Sequence, residues 1–441
     1  MKINNKDFVI TISYGNYNNG VGGTDKVILS QQKLFNAANI SNVHIFPVRK
    51  YEKIKIPIQL WGVLIDGKEN GDYLTEQIVV QCKRLLNQGF RLKGVILHHL
   101  QWIDLEELDK LLECLNCKIC LYLHDYMTVC PYGGLVYNKQ YFCGYDKVSE
   151  SKCEGCKFFS REASDRAEQI KTLLEKHKNR LYVIAPSPTA AEVWLKFYPE
   201  YADNTIVIYH QKSSGIYNEN TYSDGKKLKV AFVGYQSELK GFVQWDEAVK
   251  AARENECNYE YYQFGTVYDC HHDYIKEVAV DFKQSLTAMT DALRKYEIDV
   301  AVLWSILPET YSYTYYEAFA ANCFILTCDL SGNIAFQVKQ NRNGLVLGKD
   351  ELKDILSDEN MLRNYIANMH SANPPLELQD NPEIVDLIKR FGEGNCITSQ
   401  NATFNRWALW ILFRLQKKVY IKVEHIKIKG YKYWMKACGK K

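Results

Sequence analysis

Between Ser213 and Gly234 the chain reads SSGIYNENTYSDGKKLKVAFVG. The first part, Ser213–Lys227, is rich in Ser, Asn and Gly and has the composition of a linker. The run Lys229–Gly234 that follows is short, apolar and closed by glycine, the pattern of a strand. Before the linker, runs of the same kind fall at Phe8–Ile12, Val43–Phe46, Val95–His98, Ile119–His124, Tyr182–Pro186 and Ile206–Tyr209. After it they fall at Tyr259–Gly265, Val300–Ser305 and Phe324–Asp329, again separated by segments of helical period. Strands alternating with helices build βαβ units around parallel sheets. An alternation that stops at a polar linker and then restarts predicts an α/β chain of two Rossmann-like domains facing each other across a cleft.

Composition sets the outer bounds. With 441 residues, 46% apolar and 24% charged, the chain has the make-up of a globular protein and not of a disordered or fibrous one. No apolar run reaches the ~18 residues of a membrane-spanning helix. Phe8–Ile12 is too short for the core of a secretory leader and runs into Asn-rich sequence, so a cytoplasmic location is expected. Charge is unevenly spread. Residues 401–441 carry eleven lysines and arginines against Glu424 alone, an excess of ten that leaves −7 on the first 400 residues of a chain whose formal charge is +3. A basic terminus on an acidic body points to attachment to an anionic surface.

Three segments have the residue types of a phosphate and sugar site. Gly20-Val21-Gly22-Gly23 follows the first strand and opens a helical segment, so that backbone N–H groups can approach a phosphate; a tight turn needing small residues reads the same way. Lys240-Gly241 stands at the equivalent point after the linker, where an ammonium can meet a diphosphate. The third is Pro308–Ala320, PETYSYTYYEAFA, after the apolar strand Val300–Trp304. Its Glu309 lies at a strand's carboxyl end, where open α/β sheets bind ligands, and Glu317 comes eight residues later. If most of that span is helical, the carboxylates are about 12 Å apart, too far for a glycosidase acid/base pair at roughly 5–9.5 Å. Two ends of one long ligand fit instead, with a phosphate at the helix start near Ser312–Thr314.

A Glu-x7-Glu element followed by Ala318, with a Lys-Gly turn before it and Ser331-Gly332-Asn333 and Asn343-Gly344 after it, resembles the retaining GT-B glycosyltransferases, family 4-like or group 1, of bacterial polysaccharide synthesis. The resemblance covers most of residues 8–350. It implies an acceptor-side domain at 1–212 with a Cys-rich loop at 126–160, a donor domain at 228–375, and a helical return with a basic aromatic tail at 376–441. It further implies that Glu309 contacts the donor sugar, Glu317 the ribose and Lys240 the diphosphate, with Gly22, Gly23, Gly241, Tyr313 and Thr314 completing the phosphate site. His124 corresponds to the first-domain histidine facing the reacting sugar, a satisfied structural histidine being the alternative. The implied reaction is a hexosyl-type transfer from a nucleoside-diphosphate sugar to a glycan or lipid-linked acceptor with retention. No Asp-x-Asp occurs, so metal-independent chemistry is expected. Where the family often has an arginine before the Lys-Gly turn, this chain has Tyr235-Gln236-Ser237-Glu238. A GT-B scaffold or glycan-binding protein of weak activity is therefore the rival reading. A zinc-dependent nucleic-acid module would leave Glu309 and Glu317 unexplained, and no nucleic-acid partner is expected.

Cys130, Cys143, Cys153 and Cys156 follow His124 closely, and Cys153-x2-Cys156 has the spacing of a zinc knuckle. Structural zinc, unligated thiols and a redox pair are the readings. In the terminal segment Phe404, Trp407, Ala408, Ile411 and Leu415 fall at helical spacing, and Trp410, Tyr431, Tyr433 and Trp434 are interleaved with lysines. Packing up to about Arg414, then contact of the basic residues with anionic lipid, is expected. With residues 406–441 as the attachment, the protein would sit peripherally on the inner face of the cell membrane.

Overall fold

The computed structural model describes residues 1–20, 22–48, 59–130, 134–138, 141–144, 153–214, 226–265, 272–281, 285–368 and 377–396. In the N-terminal half the strands are β1 (Asp7–Ile12), β2 (Ile40–Pro47), β3 (Trp61–Ile65), β4 (Lys68–Tyr73), β5 (Arg91–Leu97), β6 (Ile119–Tyr122), β7 (Leu181–Ala185) and β8 (Thr205–Val207). They form one sheet in the order β8-β7-β6-β5-β1-β2-β3-β4, parallel except that β3 and β4 run antiparallel to their neighbours. The helices are α1 (Gly23–Ala37), α2 (Thr75–Asn87), α3 (Leu105–Cys114), α4 (Arg161–His177) and α5 (Pro188–Leu195). Side chains along β1 alternate between two cores: Phe8, Ile10 and Ile12 face one, Val9 the other. Burial on both faces explains why the strand reads as an unbroken apolar run.

A short antiparallel pair, β9 (Gln211–Ser214) with β16 (Glu377–Asp380), lies where the chain leaves this half and where it returns. Between them come β10 (Leu228–Val233), β11 (Tyr259–Phe264), β12 (Ile275–Val278), β13 (Val300–Leu303), β14 (Phe324–Cys328) and β15 (Gly344–Leu347). These make an all-parallel sheet in the order β12-β11-β10-β13-β14-β15. Its helices are α6 (Phe242–Glu254), α7 (Ala288–Lys295), α8 (Tyr313–Ala320), α9 (Asn333–Asn341), α10 (Leu352–Ser357) and α11 (Glu359–Asn368). The alternation recurs along β10, with Val230 and Phe232 in one core and Ala231 and Val233 in another. Two Rossmann-like domains are thus present, as the restart of the pattern predicts.

The last described helix, α12 (Glu383–Arg390), packs Ile384, Val385, Leu387 and Ile388 against Val9, Ile96 and Ile184 of the first sheet. The C-terminal chain therefore returns to the N-terminal half before residue 397. The basic tail expected to bind lipid lies outside the described residues. No helix among the described residues is long and apolar enough to cross a membrane.

Candidate active site at the carboxyl ends of both sheets

In each sheet the strand order reverses direction at the first strand. In the second sheet β10 lies between β11 and β13, so the loops leaving β10 and β13 are neighbours at the switch point, where such sheets bind ligands. The loop after β10 makes a 3-10 turn over Glu238–Lys240 and ends at Gly241, whose φ of 78° is left-handed. A Cβ there would stand 2.2 Å from the Trp304 carbonyl oxygen, so only glycine fits and Lys240 is brought against the neighbouring loop. Lys240 Nζ lies 2.5 Å from Glu309 Oε1, and the hydroxyl of Ser305 donates to the same oxygen at 2.7 Å. The Lys240 side chain is 33% exposed and that of Glu309 13%, so the pair faces the cleft while remaining partly desolvated. Desolvation pulls the Lys240 pKa down, but the charge and hydrogen bond of Glu309 outweigh it and hold the ammonium above its ordinary value.

Glu309 and Glu317 are not on one helix. Glu309 sits in extended chain bridged to Gly332, and its carbonyl accepts from the Asn333 amide at 3.0 Å. The helix begins only at Tyr313, after Ser312, whose φ of 72° is unusual for a residue with a side chain and whose hydroxyl does not cap the helix. Ser312 and Thr314 hydroxyls share a hydrogen bond of 3.0 Å instead. The N-terminal N–H groups of α8 are thus left without a side-chain cap, beside the Lys240–Glu309 pair. Glu317, buried on α8, receives a hydrogen bond from Lys26 Nζ of α1 at 2.6 Å. A Cβ on Gly23 would be 3.9 Å from Tyr313, so the glycine turn of the first domain does meet the start of α8. Gly22 is the N-cap of α1, its amide donating to Asp25 at 3.0 Å.

In the first sheet the equivalent switch point lies between β1 and β5. The loop after β5 carries His98 and His99, which follow an apolar strand and are not among the site residues expected from sequence. His98 Nδ1 is 3.0 Å from His124 Nε2, and His99 Nε2 is 3.0 Å from Asp125 Oδ2. His98, Tyr122 and His124 stack on one another, and His210 stacks on Tyr313 across the cleft. Desolvation, reinforced by the neighbouring histidines, drives His98 and His124 well below the usual imidazole pKa. Burial takes His44 to about 4 and His210 to about 3. These rings are therefore neutral at pH 7, and those of His44, His98 and His124 serve as hydrogen-bonding groups. Beside them opens a pocket of about 200 Å³ lined by His98, His99, Trp102, Asp125, Thr128 and Arg166. Trp102 is 47% exposed and has a φ of 61°.

Further bonds join the two halves. Thr310 Oγ1 donates to the His124 carbonyl at 2.8 Å, and Ser187 Oγ donates to the Thr310 carbonyl at 2.7 Å while accepting from Ala190 N as the cap of α5. Glu309, Lys240, Gly241, Glu317, Tyr313, Thr314, Gly22, Gly23 and His124 all lie around this junction. The four cysteines do not join into a metal centre: among the described residues no group of three or more His, Cys, Asp or Glu is arranged to hold a metal ion. Cys130 and Cys156 are buried, Cys130 is part of the first domain's apolar core, and Cys153 packs against that core. Cys130 and Cys153 thus contribute to packing, as in the reading of these residues as unligated thiols.

No family model matches the sequence, and no curated protein matches it. Among solved structures, the sucrose-phosphate synthase of Thermosynechococcus elongatus is similar over 94% of this chain and 100% of its own, with TM-score 0.52 and 15% identity. The pneumococcal O-GlcNAc transferase GtfA, solved with UDP and GlcNAc, aligns over 82% of this chain and 91% of its own at TM-score 0.46 and 12% identity. HepE of Anabaena, solved with UDP and glucose, aligns over 87% and 99% at TM-score 0.46 and 12% identity. The architecture is the GT-B fold, two Rossmann-like domains across a cleft.

Proposed function

We propose that the protein is a glycosyltransferase that moves a sugar from a nucleoside diphosphate to an acceptor hydroxyl with retention of anomeric configuration. The observation that supports this reading is the run of Glu309 paired with Lys240, the uncapped start of α8 four residues on, where Gly23 meets Tyr313, and Glu317 further along the same helix. A nucleotide sugar is an extended molecule with a sugar, two phosphates and a ribose in that order. Glu309 would bind sugar hydroxyls, Lys240 and the α8 N-terminus the diphosphate, and Glu317 the ribose, while Gly241 shapes the turn that presents Lys240. Stabilising charge on the departing diphosphate is the largest contribution such a site can make, and a fixed ammonium and helix N-terminus supply it without a metal. His124 would border the reacting sugar as a neutral hydrogen-bonding group.

The acceptor would enter from the first domain, residues 1–212, where the His98–Trp102 cleft adjoins His124. Donor binding belongs to residues 228–375. A glycan or lipid-linked acceptor accords with the charge of residues 406–441, which would hold the protein peripherally on an anionic membrane face. A thermal-shift screen of the full chain against nucleoside diphosphates and their sugars tests the reading, since a ligand at 100 times its Kd stabilises by ~2.7 kcal/mol. At least one diphosphate should raise the melting temperature by several degrees, and no response to any of them would count against a nucleotide site.

A further inference from the structure

Lys26 has no part in the site as expected from sequence, yet it occupies its centre. It lies in the first turn of α1, its side chain 7% exposed, with Nζ 2.6 Å from Glu317 Oε1 and 4.3 Å from the centroid of the Tyr313 ring. Glu317 is equally enclosed, its side chain 6% exposed, and the two partners come from opposite halves of the molecule. Burying both ions has a desolvation cost that their attraction offsets only in part, so stability alone is a weak reason for the pair. What surrounds the ammonium supplies a better one. Tyr313 opens α8, whose first N–H groups have no side-chain cap, and Gly23 comes within van der Waals reach of the same tyrosine. The start of α1 already holds the Asp25 carboxylate, so it is the uncapped start of α8, favourable to an anion, that meets the buried cation.

In this state Glu317 is held by an ammonium and is a poor acceptor for a ribose diol. Lys240 is likewise engaged, by Glu309. An arriving diphosphate changes the balance, because it offers Lys26 a stronger anionic partner within the reach of a four-carbon stem. We propose that Lys26 is a nucleotide-binding residue: its ammonium passes from Glu317 to the diphosphate, so that the first domain supplies a phosphate ligand, and the carboxylate released by that exchange accepts the ribose hydroxyls. The proposal rests on the nucleotide-sugar reading above.

Calorimetric titration of the full chain with UDP, GDP and ADP separates the two. If wild type binds none of them, the nucleotide reading falls and this proposal with it. For the diphosphate that binds, E317Q serves as the reference, since it removes the partner that would otherwise be left as a buried orphan charge. K26M/E317Q should bind that diphosphate at least tenfold more weakly than E317Q, whereas K26R/E317Q should stay within threefold. Melting temperatures of the two double variants within a few degrees of E317Q establish that the difference is one of binding. Affinity of K26M/E317Q within twofold of E317Q, in wild-type-like folded protein, would overturn the assignment.

Discussion

The ammonium of Lys240 stands 2.5 Å from the carboxylate of Glu309, although 69 residues separate them in sequence. The contact exists because β10 and β13 are adjacent at the point where strand order reverses, and because Gly241 allows its loop to press against Trp304. Each residue fixes the other's orientation, and Ser305 adds a donor to the same carboxylate oxygen. A site prepared in this way needs little rearrangement to meet charge developing on a leaving diphosphate.

Glu309→Gln should lower turnover at least a hundredfold, ~2.7 kcal/mol of transition-state stabilisation, while binding of the bare nucleoside diphosphate changes less than threefold. Steady-state kinetics with calorimetry measures both. Wild-type turnover in E309Q would remove Glu309 from the site.

Stability should fall with acidification through a window set by the histidines. The pKa values of His44 and His210, about 4 and about 3 in the folded protein, lie below the ~6.5 of an unfolded imidazole, so between those limits the unfolded chain binds more protons. Their contribution is intact above pH ~6.5 and is lost as pH falls toward 3. Fully buried His44 alone accounts for a loss on the order of 3 kcal/mol by pH 4. Urea unfolding midpoints between pH 7.5 and 4.5 should decline, and His44→Asn should flatten that decline; a flat wild-type profile would refute the assignment.

Gly241→Ala should cost about 3 kcal/mol or more. It combines a left-handed φ with a Cβ that would stand 2.2 Å from a backbone oxygen, which cannot move aside as a flexible side chain could. Ser187→Ala, which removes both the α5 cap and the bond to Thr310, should cost about 1–2 kcal/mol. Chemical denaturation of the two variants should preserve that ranking.

The tail makes a prediction from charge alone. Full-length protein should sediment with anionic vesicles at low salt and be released near ~0.5 M salt, whereas a chain ending at Gln416 should remain in the supernatant. Equal sedimentation of both would exclude the tail as the anchor.

Much of the fold was legible because parallel strands buried on both faces announce themselves as apolar runs. The hairpin of β3 and β4 was not read, although Asp66-Gly67 between them, with φ values of 49° and 80°, is the residue pair that a tight hairpin turn favours. Strand β12 lies at the edge of its sheet and carries exposed Lys276 and Glu277, so it does not read as an apolar run, whereas the equally short but buried β13 does. At the candidate site, Glu309 and Glu317 stand out because they lie eight residues apart after one apolar strand, and Lys240 because it precedes a glycine after another. Lys26 does not, since in sequence it is one lysine on a polar helix turn, and its partner is 291 residues away. The helix start near Ser312–Thr314 is legible in the sequence, and the helix begins at Tyr313. What the sequence does not show is the bridge of Glu309 to Gly332 and the positive φ of Ser312, which keep Glu309 off that helix. The spacing of the cysteines leaves ligation and packing equally open, and the apolar core that holds Cys130 is not readable from spacing.

The central claim is tested most directly by incubating the purified full chain with UDP-, GDP- and ADP-sugars and measuring release of the nucleoside diphosphate, with E309Q in parallel. The account predicts release from at least one donor by wild type and at least a hundredfold less by E309Q. Tight binding of a donor sugar with no release, in the presence of glycan acceptors, would contradict it and leave a GT-B scaffold without transfer activity.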